Sequence, residues 1–88
     1  MPLTTAEEAR NWARREHKAI LNVRRLRAER GDSRVLVQME EEARRKRGHA
    51  LVRLRLALAD RSVPELGTDD EIGAYLGIPA PAQGVANV

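Results

Sequence analysis

Residues 25–43 read RLRAERGDSRVLVQMEEEA, and the three residues Gly31, Asp32 and Ser33 in this stretch interrupt two long helical patterns. Glycine behind a run of basic residues is a typical helix end, because it adopts the left-handed backbone conformation without steric cost. Asp32 or Ser33 can then cap the next helix. A connection of two to three residues leaves two helices antiparallel, so the stretch predicts a helical hairpin.

Two T-x-x-E capping boxes mark further helix starts, Thr5 with Glu8 and Thr68 with Glu71. No segment shows convincing strand periodicity. The sequence therefore predicts an all-α fold, a long antiparallel helical hairpin plus a short third helix, in a single domain over residues 1–78. The expected helices cover about residues 5–30, 34–61 and 69–76, and an extended C-terminal tail is expected over residues 79–88.

Length and composition limit what this chain can do alone. Its 88 residues make one small domain, and its apolar residues are mostly alanine and small aliphatics, with one Trp and no Phe. Chains this short bury only ~60% of their unfolded surface, so a dimer or a larger partner is expected to add stability. There is no cysteine and no apolar run of the ~20 residues that a membrane span needs. We expect a cytoplasmic protein without a membrane contact.

Each long helix has an apolar stripe that one charged residue interrupts. The stripe of the first helix is Ala9, Trp12, Glu16, Ala19, Val23, Leu26 and Arg30, widened by Ala13 and Ile20. The stripe of the second helix is Leu36, Met39, Ala43, Arg47, Ala50 and Leu54, with Ala57 and Leu58 beyond. Symmetry about the turn places Glu16 opposite Arg47. The sequence predicts a structural ion pair between them that fixes the register of the hairpin. A carboxylate of Glu16 that is available to a ligand is the alternative.

Two residues in the hairpin allow two interpretations each. Gly48 lies within the second helical pattern, where glycine costs ~1 kcal/mol relative to alanine. Close packing against the first helix near Trp12 explains it, and a kink is the alternative. Trp12 is expected to pack against Leu51 in the core. It could also anchor a protein partner, since Trp is common among the residues that dominate interfaces.

The end of the second helix is apolar on all sides. Residues 50–59 read ALVRLRLALA, and a two-helix hairpin can cover only one face of such a helix. We expect Val52 and Leu56, together with Trp12, to form an interface, either in a homo-oligomer or with a larger protein partner.

Positive charge is concentrated in the first helix. Residues 10–30 contain eight basic and two acidic side chains. Four of the cations, Arg10, Arg14, Lys18 and Arg25, fall within ~80° of one another on the face opposite the apolar stripe. A basic ridge on a helix suits the phosphate backbone of DNA or RNA. A solvated face or an acidic protein partner is the alternative.

Residues for catalysis or metal binding do not occur in recognisable patterns. The only histidines, His17 and His49, lack an i, i+4 partner histidine and an E-x-x-H motif. Ser33 and Ser62 stand at helix ends, where capping explains them. The sequence thus predicts a non-catalytic helical binding module with no cofactor and no metal, most simply a nucleic-acid binder. A protein-directed adaptor, inhibitor or assembly factor that uses the exposed apolar surface is the alternative.

Overall fold

The computed structural model describes residues 5–80, and this part of the chain contains three α-helices and no strand. They are α1 (Thr5–Arg30), α2 (Arg34–Leu58) and α3 (Asp69–Leu76). The all-α fold class that the sequence predicts is confirmed. Residues 81–88 of the expected C-terminal tail lie outside the described residues.

Local sequence signals account for the ends of the helices around the connection. Gly31 has φ of +86°, and its N–H donates to the carbonyl oxygen of Arg27 at 2.8 Å, which ends α1. Ser33 is the N-cap of α2, and its hydroxyl oxygen accepts from the N–H of Leu36 at 3.1 Å. Thr68 caps α3 in the same way by accepting from the N–H of Glu71.

The second helix ends earlier than the sequence predicts, at Leu58 instead of about Arg61. Ala59 takes the left-handed conformation with φ of +52°, which terminates the helix without a glycine. The carboxylate of Asp60 then accepts from the N–H and the hydroxyl of Ser62, which forms a local turn. Alanine is uncommon in this conformation and is not a typical helix-end residue, so the sequence does not indicate that α2 ends at Leu58.

The core is a layer of alanine and branched aliphatic residues between α1 and α2, extended by α3 and the segment before it. Its buried apolar side chains are Ala9, Ala13, Ile20, Val23, Ala43, Ala50, Leu51, Leu54, Val63, Ile72, Leu76 and Ile78. Four buried residues of α1 belong to the predicted stripe: Ala9, Ala13, Ile20 and Val23. Trp12 and Glu16 are only half-buried, and His17 takes a core position that the predicted stripe lacks. The core side of α1 includes His17 because α1 packs against α3 as well as against α2. Trp12 is partly buried and packs against the core.

Close approach of helices requires a glycine at Gly73, not at Gly48. A Cβ atom at Gly48 would meet nothing within 4 Å, so the predicted close packing there is wrong. A Cβ atom at Gly73 would stand 2.9 Å from Nε2 of His17 and 3.1 Å from the carbonyl oxygen of Ile78. The backbone of α3 therefore lies directly against the His17 ring.

This contrast predicts opposite effects of the same substitution at two helical glycines. Gly48→Ala should stabilise the protein by about 1 kcal/mol, because alanine favours the helix and space is available. Gly73→Ala should destabilise it, because the new methyl group collides with a buried ring and a backbone carbonyl. Thermal unfolding should show the midpoint rising by about 4–8 °C in the first variant. A rise in the second variant as well would mean that α3 does not lie against His17.

Candidate functional site

A single carboxylate joins all three helices. Asp69, the first residue of α3, accepts hydrogen bonds from Arg24 of α1 and from Arg44 and Arg47 of α2. Arg44 binds both carboxylate oxygens, at 2.8 and 2.9 Å, in the two-pronged geometry that arginine offers. Arg24 and Arg47 approach to 2.8 and 3.0 Å. We call these four residues the Asp69 cluster.

The surroundings of Asp69 favour its charged form. The side chain is only 14% exposed, yet hydrogen bonds from Arg44, and then from Arg47, hold the pKa of Asp69 far below its ordinary value of 3.8. Its place at the start of α3 adds the favourable field of the helix N-terminus. Because the pKa is lowered by folding, the cluster contributes its full stability above pH 3.8 and loses it as the pH falls further.

Arg47 connects the cluster to a buried histidine. The guanidinium of Arg47 is 6% exposed; its Nη2 meets Asp69, and its Nη1 donates to Nδ1 of His17 at 2.8 Å. A guanidinium can only donate, so Nδ1 carries no proton, and the neutral ring holds its proton on Nε2. Burial, and then the charge of Arg47, lower the pKa of His17 from 6.5.

The ion pair predicted between Glu16 and Arg47 is not formed. Arg47 is buried as expected, but its partners are His17 and Asp69, and within residues 5–80 no ion pair joins it to Glu16. The side of α1 that faces Arg47 carries His17, one residue and ~100° beyond Glu16. The negative charge that pairs with Arg47 is Asp69 of α3. The prediction from hairpin symmetry considered only the two long helices and therefore could not include it.

A second group of charges continues from the cluster to the α1–α2 connection. Glu40 accepts from Arg44 at 3.1 Å and from Arg27 at 2.7 Å, and Arg27 also donates to Asp32 at 2.8 Å. The hydrogen bonds that Arg27 donates to Asp32, and then to Glu40, raise the pKa of Arg27. Arg27 and Arg44 are thus engaged by acids of their own chain.

The four cations of the predicted ridge differ in their surroundings. Arg10 and Lys18 are exposed and Arg14 is half-buried, and none of the three has an ion pair within the described part of the chain. Arg25 instead donates to Asn22 at 2.6 Å and pairs with Glu29 at 3.4 Å. Arg10, Arg14 and Lys18 follow one another at four-residue intervals, and we call them the basic row.

Two of the three residues of the predicted interface, Val52 and Leu56, are open to solvent on α2. Val52 is 38% exposed and Leu56 is 75% exposed, and both line one shallow hollow with Arg55 and Glu65, which form an ion pair. Trp12 faces the core instead and lines a small cavity near Arg53. Val52 and Leu56 form what we call the apolar patch.

No ready-made centre for metal chemistry stands out in residues 5–80, where no group of three or more His, Asp or Glu side chains could hold a metal ion. None of the three helices is long and apolar enough to cross a bilayer. Comparison with protein-family models, curated proteins and solved structures gives no match to this chain.

Neutralising the Asp69 carboxylate should destabilise the protein much more than neutralising the adjacent carboxylate of Asp70. Asp69→Asn leaves Arg47 buried beside an uncharged group, and we expect a loss of about 3 kcal/mol, the lower end for breaking a buried ion pair because Arg24 and Arg44 reach water. The control is Asp70→Asn, an exposed acid without an ion pair in the described chain. Denaturant unfolding of both variants tests this, and equal losses would contradict the role of Asp69.

Proposed function

We propose that this chain is a non-catalytic module that binds the phosphate backbone of nucleic acid through the basic row of α1. The observation that carries the proposal is the contrast in pairing. Arg24, Arg27, Arg44 and Arg47 are matched by acids within the chain, whereas the basic row has no such partner in residues 5–80.

The geometry of the basic row supports contact with a linear polyanion. Arg10, Arg14 and Lys18 lie one helical turn apart, so their side chains project from neighbouring positions about 6 Å apart along α1. Arg15, also exposed and without an ion pair in the described residues, lies beside them. Each cation that neutralises a phosphate releases a counterion, which makes such binding depend strongly on salt.

A rigid platform would hold the row in place. We propose that α1 and α2 form an antiparallel hairpin, in line with two contacts between them. Arg27 meets Glu40 close to the connection, and His17 meets Arg47 further from it. The side of α1 that carries the row then remains free for a partner, whether DNA or RNA.

Binding to duplex DNA or RNA should weaken with salt in a way that the basic row controls. If each of the three cations contacts one phosphate, the logarithm of the binding constant should fall with the logarithm of salt concentration with a slope of about −2.7 on B-DNA. The triple variant Arg10→Gln, Arg14→Gln, Lys18→Gln should flatten this slope. Mobility shift over a salt series measures it.

A matched control separates the row from net charge. Arg34, Arg45 and Arg61 are exposed and have no ion pair within residues 5–80, so replacing all three by Gln removes the same charge elsewhere. This control variant should keep the wild-type slope. Equal losses in both variants, or no binding near physiological salt, would remove nucleic acid as the proposed partner.

A second candidate function is association with protein, and the exposure of Leu56 favours it. A leucine that is 75% exposed beside Val52 on a regular helix is an apolar surface without cover in one chain. We propose that a second copy of the chain covers this patch, with a larger protein as the other possible cover. An adaptor or assembly factor would use the same surface.

Sedimentation at micromolar concentration tests the proposed dimer. We expect the wild-type chain to be a dimer and Leu56→Glu to be a monomer, because the substitution would place a charge in an apolar interface. Val35→Glu is the matched control, since Val35 is 64% exposed near the other end of α2. A wild-type monomer would exclude self-association and leave a different protein as the partner for the patch.

A further inference from the structure

His17 stands where all three helices meet, and two of its contacts fix α3. Its ring is 2% exposed, and its Nδ1 accepts a hydrogen bond from Arg47, whose other nitrogen binds Asp69 at the start of α3. The opposite edge of the ring lies against Gly73 in the middle of α3. The ring therefore touches α3 directly and also supports the arginine that holds it.

Only the neutral ring fits this place. Protonation would put a hydrogen on Nδ1 against the N–H of Arg47, so that two donors and two positive charges would face each other. The charged groups that act on the ring are Arg47 and Arg44 from α2, which oppose a positive charge, and Asp69 from α3, which favours it. The charge of Asp69 offsets the effect only in part, since the pKa of His17 is lowered overall.

We propose that His17 and Arg47 form an acid-sensitive latch, so that protonation of the His17 ring releases α3 while α1 and α2 stay packed. The helix α3 is the element that can open, since it has eight residues whereas α1 and α2 have 26 and 25. Local opening of a short element is a common route to switching in proteins.

Release of α3 would change the surface in two ways. The apolar side chains of Ile72 and Leu76, now buried, would become exposed. Because Asp69 would move away with α3, Arg24, Arg44 and Arg47 would also lose the carboxylate that they share. The latch would thus convert a fall in pH into a new apolar and basic surface, a role that histidine can take because its ordinary pKa is close to 6.5.

Amide hydrogen exchange between pH 7.5 and 5.0 tests the latch, with rates expressed as protection factors so that the intrinsic pH dependence is removed. The protection of Ile72 and Leu76 in α3 should fall about tenfold for each pH unit below 6.5, until the pKa of the docked ring is reached. Protection of Ala13 in α1 and Ala50 in α2 should stay constant. A uniform fall in all three helices, or constant protection in α3, would overturn the proposal.

Two variants identify the titrating group. His17→Gln keeps an oxygen that can accept from Arg47 but cannot be protonated, so the pH dependence of α3 protection should vanish. His49→Gln changes the exposed histidine of α2 and should behave as the wild type. The same pH dependence in His17→Gln would contradict the latch.

A measurement on the wild-type chain covers the case in which His17→Gln does not fold. The NMR signal of the His17 Cε1 proton should stay unshifted near pH 6.5 and should shift only at the lower pH where the fall in α3 protection levels off. A ring that becomes protonated while α3 stays protected would overturn the proposal without any variant.

Discussion

Burial of the Arg47 guanidinium is the constraint that organises this small protein. A charged group that is 6% exposed must meet a countercharge and use its hydrogen-bond donors, and both needs are met only when α3 brings Asp69 to the α1–α2 pair. Half of the buried apolar residues of α1 and α2 are alanines, which supply modest buried area per residue. The charged cluster therefore determines where α3 docks, and the apolar contacts of Ile72 and Leu76 follow from that placement.

The same cluster divides the basic residues into two groups. Asp69, Glu40 and Asp32 match one group, which consists of Arg24, Arg27, Arg44 and Arg47. The acidic α3 thus serves the basic centre of its own chain, so a high count of arginines does not mean that all of them are available to a partner. Within residues 5–80 the basic row lies outside this internal pairing, as Arg15 and Arg30 of α1 also do, and its regular spacing is the reason that we propose it as the binding surface.

Local signals in the sequence predicted the helices well, whereas contacts across the fold were predicted poorly. Gly31, Ser33 and Thr68 mark helix ends through backbone geometry and capping, which depend on a few neighbouring residues. The partner of Arg47 depends on α3, 22 positions away, and the hairpin symmetry that suggested Glu16 contains no information about it. Gly48 stands out in the sequence because it interrupts a long helical pattern. The need for glycine at Gly73 comes from its contact with His17, which is distant in the sequence. The only sequence signal for Asp69 was the capping box that placed it at a helix start.

A double-mutant cycle between Asp69 and Arg47 tests the central claim most directly. Each of Asp69→Asn and Arg47→Met removes one member of the pair, and the free energy of unfolding is measured for both single variants and for the double variant. If the pair holds α3, the double variant should lose less stability than the two single losses combined, with a coupling of about 0.5–3 kcal/mol. Losses that add within about 0.3 kcal/mol would contradict the account, because they would show that the two side chains act independently.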